Sequence, residues 1–365
     1  MKINQAFFRT IWPVVEGGAV EIIDQTQLPH RLHILRIDSV DEMVHAIKHM
    51  QVRGAPLIGA AAAYGMALGI VDSALDGDVE RIGETLLQSR PTAVNLRWAV
   101  QRMQRVLLAL PVEERAVAAW REAAVICDED VALNQAIGQH GLSMLRALAT
   151  ARGRGSAAQP LQILTHCNAG WLATVDWGTA LAPIYAAHEA GLAVHVWVDE
   201  TRPRNQGAAL TAWELAQHGV PHTIISDNAG GHLMQHGKVD CVIVGADRVT
   251  ATGDVCNKIG TYLKALAAHD NEVPFYAAVP SPTIDWSMQD GRREIPIEER
   301  DADEVHYMQG VTADGVVQRL RITPPGSAAA NPAFDVTPAR LVTGIITERG
   351  IASPAALHAL FHTSG

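Results

Sequence analysis

The sequence predicts an α/β protein in which a smaller, mainly helical N-terminal domain with a short β-hairpin precedes a Rossmann-like domain built on a parallel sheet. Residues 1–150 are rich in helical patterns, and residues 151–365 alternate apolar strand-like runs with helical segments at the spacing of βαβ units. The run ARGRGSAAQP, residues 151–160, is the clearest break in composition. Because small residues, glycine and proline are typical of linkers, we place the domain boundary between residues 150 and 151.

One hairpin and a series of helices account for the N-terminal domain. Two β-rich runs around a proline-containing turn, residues 20–37, predict the hairpin, and Ser39 stands where a helix cap is expected. Helical patterns then begin at Ala55, at Asn95 and near residue 112. The run from Ala55 is apolar on nearly every face, which predicts a buried helix.

Apolar runs predict the strands of the second domain, and polar, turn-forming residues follow each of them. These runs cover residues 161–165, 193–198, 222–226, 240–245 and 274–280. Ligands of such sheets bind beyond the carboxyl ends of the strands. Any single loop of this kind is ordinarily polar. Five together, one with a lone cysteine and one with a lone aspartate, predict a site at this edge.

Composition restricts the classes of function. Hydrophobic residues make up 48% and charged residues 19% of the 365 residues, enough for a substantial core. A formal net charge of -10 argues against non-specific nucleic-acid binding, although a few cations in one cleft can still bind an anionic substrate. The N-terminus lacks the pattern of a secretory signal, and no apolar run approaches the ~20 residues of a membrane span. We therefore expect a cytoplasmic protein with no membrane partner and with free thiols at Cys127, Cys167, Cys241 and Cys256.

Cys167 and Asp247 are the two candidates for catalysis at the strand ends. We expect a helix directly after Cys167, and its dipole would favour the thiolate and lower the pKa of the cysteine. The alternative is a small buried packing residue. Partial burial of Asp247 at the end of an apolar strand would raise its pKa and let it donate a proton, whereas the alternative is a loop or helix cap. Cys241 is predicted to be a packing residue within a strand, and Cys256 lies in a predicted loop.

Two helix starts predict anion binding. Arg53 and Gly54 immediately precede a helix whose Pro56 suits the first turn, and Asn257 and Lys258 precede another helix. Free backbone N–H groups with a cation beside them suit a phosphate. The alternative for each cation is a solvated surface position.

Two further signals point to cofactors or metals and carry less weight. Asp199 closes the second strand, where dinucleotide enzymes keep an acid, but the turn after the first strand has no GxGxxG motif. His232 and His236 have a spacing that can bind zinc, but no HExxH motif surrounds them. We therefore expect neither a cofactor nor a metal.

A series of motifs runs in order from residue 52 to residue 351: VRGAPLIGAAAAYGMAL, SRPTAVNLRWAV, LTHCNAG, VDETRPRNQGAALTAWEL, DNAGG, VIVGADRV, GDVCNKIGTY, YAAVPSPTID and NPAFDVTPARLVTGIITERGI. Together they closely resemble the methylthioribose-1-phosphate isomerases of methionine salvage. That family is related to the regulatory α, β and δ subunits of translation initiation factor eIF2B and to ribose-1,5-bisphosphate isomerase. The resemblance implies a homodimeric sugar-phosphate isomerase with Cys167 and Asp247 as catalytic residues. It implies substrate contacts at Arg53, Gly54, Ala55, Arg90, Gln206, Asn257 and Lys258.

The implied reaction converts 5-methylthioribose 1-phosphate into 5-methylthioribulose 1-phosphate. Because the anomeric oxygen carries phosphate, ring opening cannot give the free aldehyde of ordinary aldose isomerisation. We expect a protonated Asp247 to donate to the ring oxygen, after which hydrogen leaves C2 for C1 as a proton relayed by Cys167 or as a hydride. The alternatives are an isomerase of another pentose 1-phosphate, such as ribose 1,5-bisphosphate or 5-deoxyribose 1-phosphate, and a non-catalytic, nucleotide-sensing regulatory subunit.

Overall fold

The computed structural model describes residues 1–14, 17–71 and 74–362. The N-terminal strands are β1 (Lys2–Ile3), β2 (Ala6–Phe7), β3 (Ile11–Pro13), β4 (Val20–Ile23) and β5 (Ile34–Ile37). The first helices are α1 (Val40–Lys48), α2 (Ala55–Gly69), α3 (Asp76–Leu87), α4 (Val94–Leu108) and α5 (Val112–Arg152). Strands β4 and β5 pair antiparallel, with Val20 opposite Ile37, and β3 extends the sheet, so the hairpin prediction is confirmed.

The helices of this half follow the sequence pattern. The Ser39 side chain accepts a hydrogen bond from the backbone N–H of Glu42 and caps α1, as expected. Every residue of α2 from Leu57 to Leu68 is buried, which confirms the prediction from its uniformly apolar surface.

Helix α5 connects the two halves of the molecule. Ala119 and Ala123 pack in the core of the N-terminal helices, whereas Leu142 and Leu145 pack in the core beneath the parallel sheet. The helix ends before Gly153, which has φ 63, a left-handed conformation that favours glycine. The boundary between residues 150 and 151 falls at this helix end, and the division into two domains there stays a prediction.

The later strands are β6 (Leu161–Thr165), β7 (Val194–Asp199), β8 (His222–Ile225), β9 (Cys241–Val244), β10 (Arg248–Thr250), β11 (Val255–Lys258), β12 (Phe275–Ala278), β13 (Ile284–Asp285), β14 (Tyr307–Val311), β15 (Val317–Arg321), β16 (Phe334–Thr337), β17 (Gly344–Thr347) and β18 (Gly350–Ala352). The later helices are α6 (Ala182–Glu189), α7 (Ala212–Gln217), α8 (Ala229–Gln235), α9 (Thr261–Asp270), α10 (Gly291–Glu294), α11 (Asp303–His306) and α12 (Leu357–His362). Within the described residues, the main sheet has the order β18-β17-β12-β9-β6-β7-β8, and its strands are parallel except for β18. The strand predictions and the parallel sheet are confirmed.

The strand order places a crevice between β6 and β9. The chain runs outward from β6 to β7 and β8, and then crosses to β9 on the other side of β6. This reversal is the topological switch point at which ligands of such sheets bind, beyond the carboxyl ends of the strands. Cys167 follows β6 and Asp247 follows β9, so the topology directs both residues to this crevice.

Two local predictions were wrong. The residues after Cys167 form no long helix: a 3₁₀ turn covers Trp171–Ala173, and α6 begins only at Ala182. Cys256 lies in β11 and not in a loop. Strand β11 pairs with the neighbouring β10 and with β16, which is distant in the sequence. In the described part of the chain, no helix is both long and apolar enough to cross a membrane.

Candidate active site

The turn that carries Cys167 is fixed by hydrogen bonds from three sides. The Thr165 hydroxyl donates to the Ile243 carbonyl at 2.8 Å and joins the end of β6 to β9. The backbone N–H of Cys167 donates to Thr201 Oγ1 at 2.8 Å, and its carbonyl accepts from Thr211 Oγ1 at 2.7 Å. These contacts hold Cys167 at φ 66, a left-handed conformation that is uncommon outside glycine and occurs often at functional sites.

A small cavity of about 30 Å³ brings most of the expected site residues together. Its walls include Arg53, Gly54, Ala55, Cys167, Asp247 and Asn257. A second cavity of about 30 Å³ shares Ala55 and Asp247 and adds Arg90. Each holds roughly the volume of one water molecule. A sugar phosphate is larger than either cavity, so it fits only if the surrounding side chains or segments move apart.

Gly54 allows α2 to begin directly against the segment that follows Cys167. A Cβ atom on Gly54 would lie 2.4 Å from the Ala173 carbonyl oxygen, and the residue has φ 95. Only glycine tolerates both the close approach and this backbone conformation. The contact places Arg53, Gly54 and Ala55 on the wall of the Cys167 cavity.

Burial dominates the electrostatics of Cys167 and Asp247. Burial raises the pKa of the Cys167 thiol, and the positive charges of Arg53 and Lys258 only partly offset the effect. The expected lowering of its pKa is therefore wrong, because no α-helix starts at the cysteine. Asp247 keeps some exposed surface, which faces the two cavities, yet desolvation raises its pKa against the opposing charges of Lys258, Arg90 and Arg53. A raised pKa for Asp247 was expected and is confirmed.

Lys258 is a buried cation at the end of β11, not a solvated one. Its Nζ lies 4.6 Å from the centre of the Phe334 ring. Burial lowers its pKa, while the anionic forms of Cys167 and Asp247 raise it. Lys258 is thus coupled electrostatically to both candidate catalytic residues.

The helix start after Lys258 is not free to bind phosphate. The backbone N–H groups of Gly260 and Tyr262, at the start of α9, donate to the Asp335 carboxylate at 2.7 Å and 3.0 Å. A carboxylate from β16 already satisfies these groups, so the expected anion site on the α9 backbone is wrong. Asn257 donates to Thr261 Oγ1 at 3.0 Å and lines the Cys167 cavity.

Arg53 and Arg90 are both held by partners within the protein. Arg53 is buried, and its two terminal nitrogens donate to Oδ1 and to the backbone oxygen of Asn168 at 2.6 Å and 2.9 Å. Arg90 forms an ion pair with Glu298 at 2.9 Å. The alternative of a solvated cation does not apply to Arg53, and the start of α2 beside it has no side-chain cap from any described residue.

Gln206 is buried beside a different cavity, of about 420 Å³. Arg53 lines this larger cavity as well as the Cys167 cavity. Gln206 is therefore near the site but does not line the same space as Cys167 and Asp247.

His166, Asp199 and Asp227 form a cluster with the residue types of a metal site. Lys264 already lies among them, with Nζ 3.2 Å from Asp199 Oδ2 and donating to the Asp227 carbonyl oxygen. Because the lysine ammonium supplies the positive charge there, this cluster is an internal ion-pair network. His232 and His236 are exposed and do not belong to it.

Sequence reasoning missed the role of His166. One ring nitrogen lies 2.9 Å from Asp199 Oδ2 and the other 2.8 Å from the Ile259 carbonyl oxygen. The ring thereby joins the ends of β6 and β7 to the segment that follows Lys258. The available signal was its position between a buried strand and Cys167. Its partner Asp199 is fully buried in this network. The contacts with His166 and Lys264 therefore account for an acid at the end of β7 without a bound dinucleotide.

Comparison with known proteins identifies the family. Residues 51–354 match the model of the initiation factor 2 subunit family. The chain is 65% identical over 364 residues to a methylthioribose-1-phosphate isomerase of Rhodospirillum rubrum, covering 99% of this chain and 93% of the relative. It matches the crystal structure of 5-methylthioribose 1-phosphate isomerase from Pyrococcus horikoshii OT3 with a TM-score of 0.82 and 40% identity, covering 98% and 97% of the two chains.

A structure described as translation initiation factor eIF-2B, subunit delta, from A. fulgidus is also similar, with a TM-score of 0.79 and 37% identity over 97% of this chain and 99% of that one. The chain therefore belongs to the initiation factor 2 subunit family and, within it, to the branch that contains these methylthioribose-1-phosphate isomerases.

Proposed function

We propose that this protein is an aldose–ketose isomerase that converts 5-methylthioribose 1-phosphate into 5-methylthioribulose 1-phosphate, a step of methionine salvage. The observation that carries the proposal is the shared cavity of Cys167 and Asp247 at the switch point of the sheet, with Arg53, Arg90 and Lys258 around it. Relatives that carry the name of this activity, at 60–65% identity over nearly the whole chain, support it.

Asp247 acts as the general acid. Burial raises the pKa of its carboxyl, which favours the protonated form, and this form donates its proton to the ring oxygen while the bond between that oxygen and C1 breaks. The positive charge that develops at C1 is stabilised by the oxygen that bears the phosphate. The phosphate ester stays intact throughout this step.

Hydrogen then moves from C2 to C1, and the C2 hydroxyl gives its proton to the Asp247 carboxylate, which leaves the ketone and restores the protonated acid. A proton route uses Cys167 as the relay between the two carbons, whereas a hydride route transfers the hydrogen directly. The raised pKa of Cys167 disfavours the thiolate that a relay needs. We therefore favour the hydride route, in which the Cys167 thiol supplies local polarity beside the reacting carbons and the small cavity limits the access of water.

Three cations supply the phosphate site. Arg53 and Lys258 are buried and Arg90 is nearly so, and a phosphate dianion would offset the cost of keeping them there. Gly54 and Ala55 bring the start of α2 to the same wall, and Asn257 and Gln206 complete the proposed contacts. Because the cavity of about 30 Å³ is smaller than the substrate, the proposal includes an opening of the site for binding and its closure for chemistry.

The proposal extends to the location, the oligomeric state and the partners of the enzyme. We propose a cytoplasmic homodimer in which residues 1–150 form the N-terminal domain and residues 151–365 form the catalytic domain. Neither a nicotinamide cofactor nor a metal takes part in the steps above. The proposed partner is the sugar phosphate, and no nucleic acid is involved.

A direct comparison of substrates tests the proposal. The purified protein is given 5-methylthioribose 1-phosphate, 5-deoxyribose 1-phosphate and ribose 1,5-bisphosphate in parallel, and ketose formation is followed by ³¹P NMR. We expect the methylthio sugar to give the highest kcat/KM. A higher kcat/KM for another sugar would change the assigned substrate, and binding of a sugar phosphate or nucleotide without turnover would indicate a regulatory subunit.

A further inference from the structure

Glu214, on α7, is a fully buried carboxylate directly behind the Cys167 turn. Its Oε2 accepts hydrogen bonds from the Trp171 backbone N–H at 2.8 Å and from the Tyr185 hydroxyl at 3.0 Å. Its Oε1 accepts from the side-chain amide of Asn168. Burial raises the pKa of this carboxyl to about 7, and the hydrogen bonds oppose the shift. Burying a carboxylate costs free energy, so the position of Glu214 calls for a functional explanation.

The contacts of Glu214 decide which way the Asn168 amide points. Asn168 Nδ2 donates to Glu214 and lies 3.2 Å from Thr211 Oγ1, so its Oδ1 faces the opposite side. There Oδ1 accepts from one terminal nitrogen of Arg53, while the Asn168 backbone oxygen accepts from the other. The ionised carboxylate, which is the form present above its pKa, can only accept, so it fixes the direction of the amide, which an amide or hydroxyl in its place would not.

We propose that Glu214 is a positioning residue: through Asn168 it holds the Arg53 guanidinium in the orientation that binds the phosphate of the substrate. The inference rests on the proposed function in that it takes Arg53 as a phosphate contact. Arg53 lines both the Cys167 cavity and the larger cavity of about 420 Å³, so the direction of its guanidinium determines in which of these spaces it can bind an anion. A guanidinium that is fixed in advance loses little freedom on binding.

Glu214→Gln separates this role from packing, because it keeps the shape of the side chain. The glutamine oxygen would take the place of Oε2, which has two donors, and its NH₂ group would then face Asn168. Asn168 would have to turn over, and its own NH₂ group would then oppose Arg53. Tyr185→Phe is the matched control, because it removes a buried hydrogen bond to Glu214 but leaves the Asn168 contact in place.

The experiment measures the affinity for inorganic phosphate by calorimetry and the KM and kcat for 5-methylthioribose 1-phosphate. In Glu214→Gln we expect the affinity for phosphate to fall and KM to rise, each by about tenfold, which corresponds to the free energy of one hydrogen bond to a charged group. The kcat should change by less than about threefold. Tyr185→Phe should leave both values within about twofold of the wild type. Equal phosphate affinity in the wild type and Glu214→Gln, or no phosphate binding by the wild type, overturns the inference.

A double variant keeps the test decisive even if Glu214→Gln folds poorly. In Glu214→Gln with Asn168→Asp, the carboxylate at position 168 accepts from the new glutamine and still presents an oxygen to Arg53. Phosphate affinity should return to within about threefold of the wild type. Affinity as weak as in Glu214→Gln alone would overturn the inference. Phosphate binding does not depend on turnover, so a failure of the proposed function would appear separately, as a wild type that binds phosphate without isomerising the sugar.

Discussion

Replacing Gly54 with alanine adds one methyl group where the start of α2 meets the 3₁₀ turn Trp171–Ala173, which follows Cys167. The new Cβ atom would lie 2.4 Å from the Ala173 carbonyl oxygen and 2.5 Å from its Cα, both of which are backbone atoms. At φ 95 and ψ 137, a non-glycine residue also costs about 1–3 kcal/mol in backbone strain. Overpacking adds about 1–3 kcal/mol, so we expect a loss of about 2–6 kcal/mol in the free energy of unfolding.

Urea unfolding followed by circular dichroism measures this loss, with Gly77→Ala as the control. Gly77 lies in α3, and a Cβ atom there meets no described residue within 4 Å, so alanine should be neutral or stabilise by up to about 1 kcal/mol. Because relief of the clash moves Arg53 and Ala55 away from the cavity, Gly54→Ala should also lose at least about tenfold in turnover. Equal urea midpoints for the two variants would refute this account of Gly54.

Three further predictions follow from the charges at the site and in the core. With substrate deuterated at C2, we expect deuterium to be retained at C1, because burial raises the pKa of Cys167 and disfavours a thiolate relay; complete loss of the label to water would contradict this. The kcat should fall as the pH rises through the raised pKa of Asp247, because the protonated acid is the active form, and a flat alkaline profile would contradict the assignment. Asp130 accepts a hydrogen bond from the Val175 N–H at 2.8 Å, and burial raises its pKa to about 7. The protonated Asp130 stabilises the folded state at low pH, and this stabilisation is lost as the pH rises towards 7. Between pH 5 and pH 8 the free energy of unfolding of the wild type should therefore fall by roughly 2–3 kcal/mol more than that of Asp130→Asn. Urea unfolding of both proteins at the two pH values measures this difference.

The sequence was informative where local pattern determines structure. Strand periodicity and strand-end chemistry were enough to predict the parallel sheet and to place Cys167 and Asp247 beyond its carboxyl edge. The strand order that puts β6 beside β9 cannot be read from any local run. It is this pairing that brings the two residues into one cavity.

The errors arose where a distant partner decides the outcome. The helix start at α9 looked free, but Asp335, from a strand more than 70 residues later, satisfies its N–H groups. Cys256 appeared to be in a loop because its strand partner in β16 is equally remote. The raised pKa of Cys167 depends on burial by several segments together, which the sequence around the cysteine does not record.

The turnover of two single variants tests most directly whether Cys167 and Asp247 act together on the sugar phosphate. We predict that Asp247→Asn, which removes the general acid, lowers the kcat for 5-methylthioribose 1-phosphate by about 10²–10⁴-fold. Cys167→Ser, which replaces the thiol beside the reacting carbons by a smaller and more strongly hydrated hydroxyl, should lower it by at least about tenfold. Cys241→Ser should keep near wild-type turnover, because Cys241 is equally buried but lies in β9, away from the cavity walls. Near-normal turnover in either of the first two variants would contradict the assignment of these two residues as the catalytic pair.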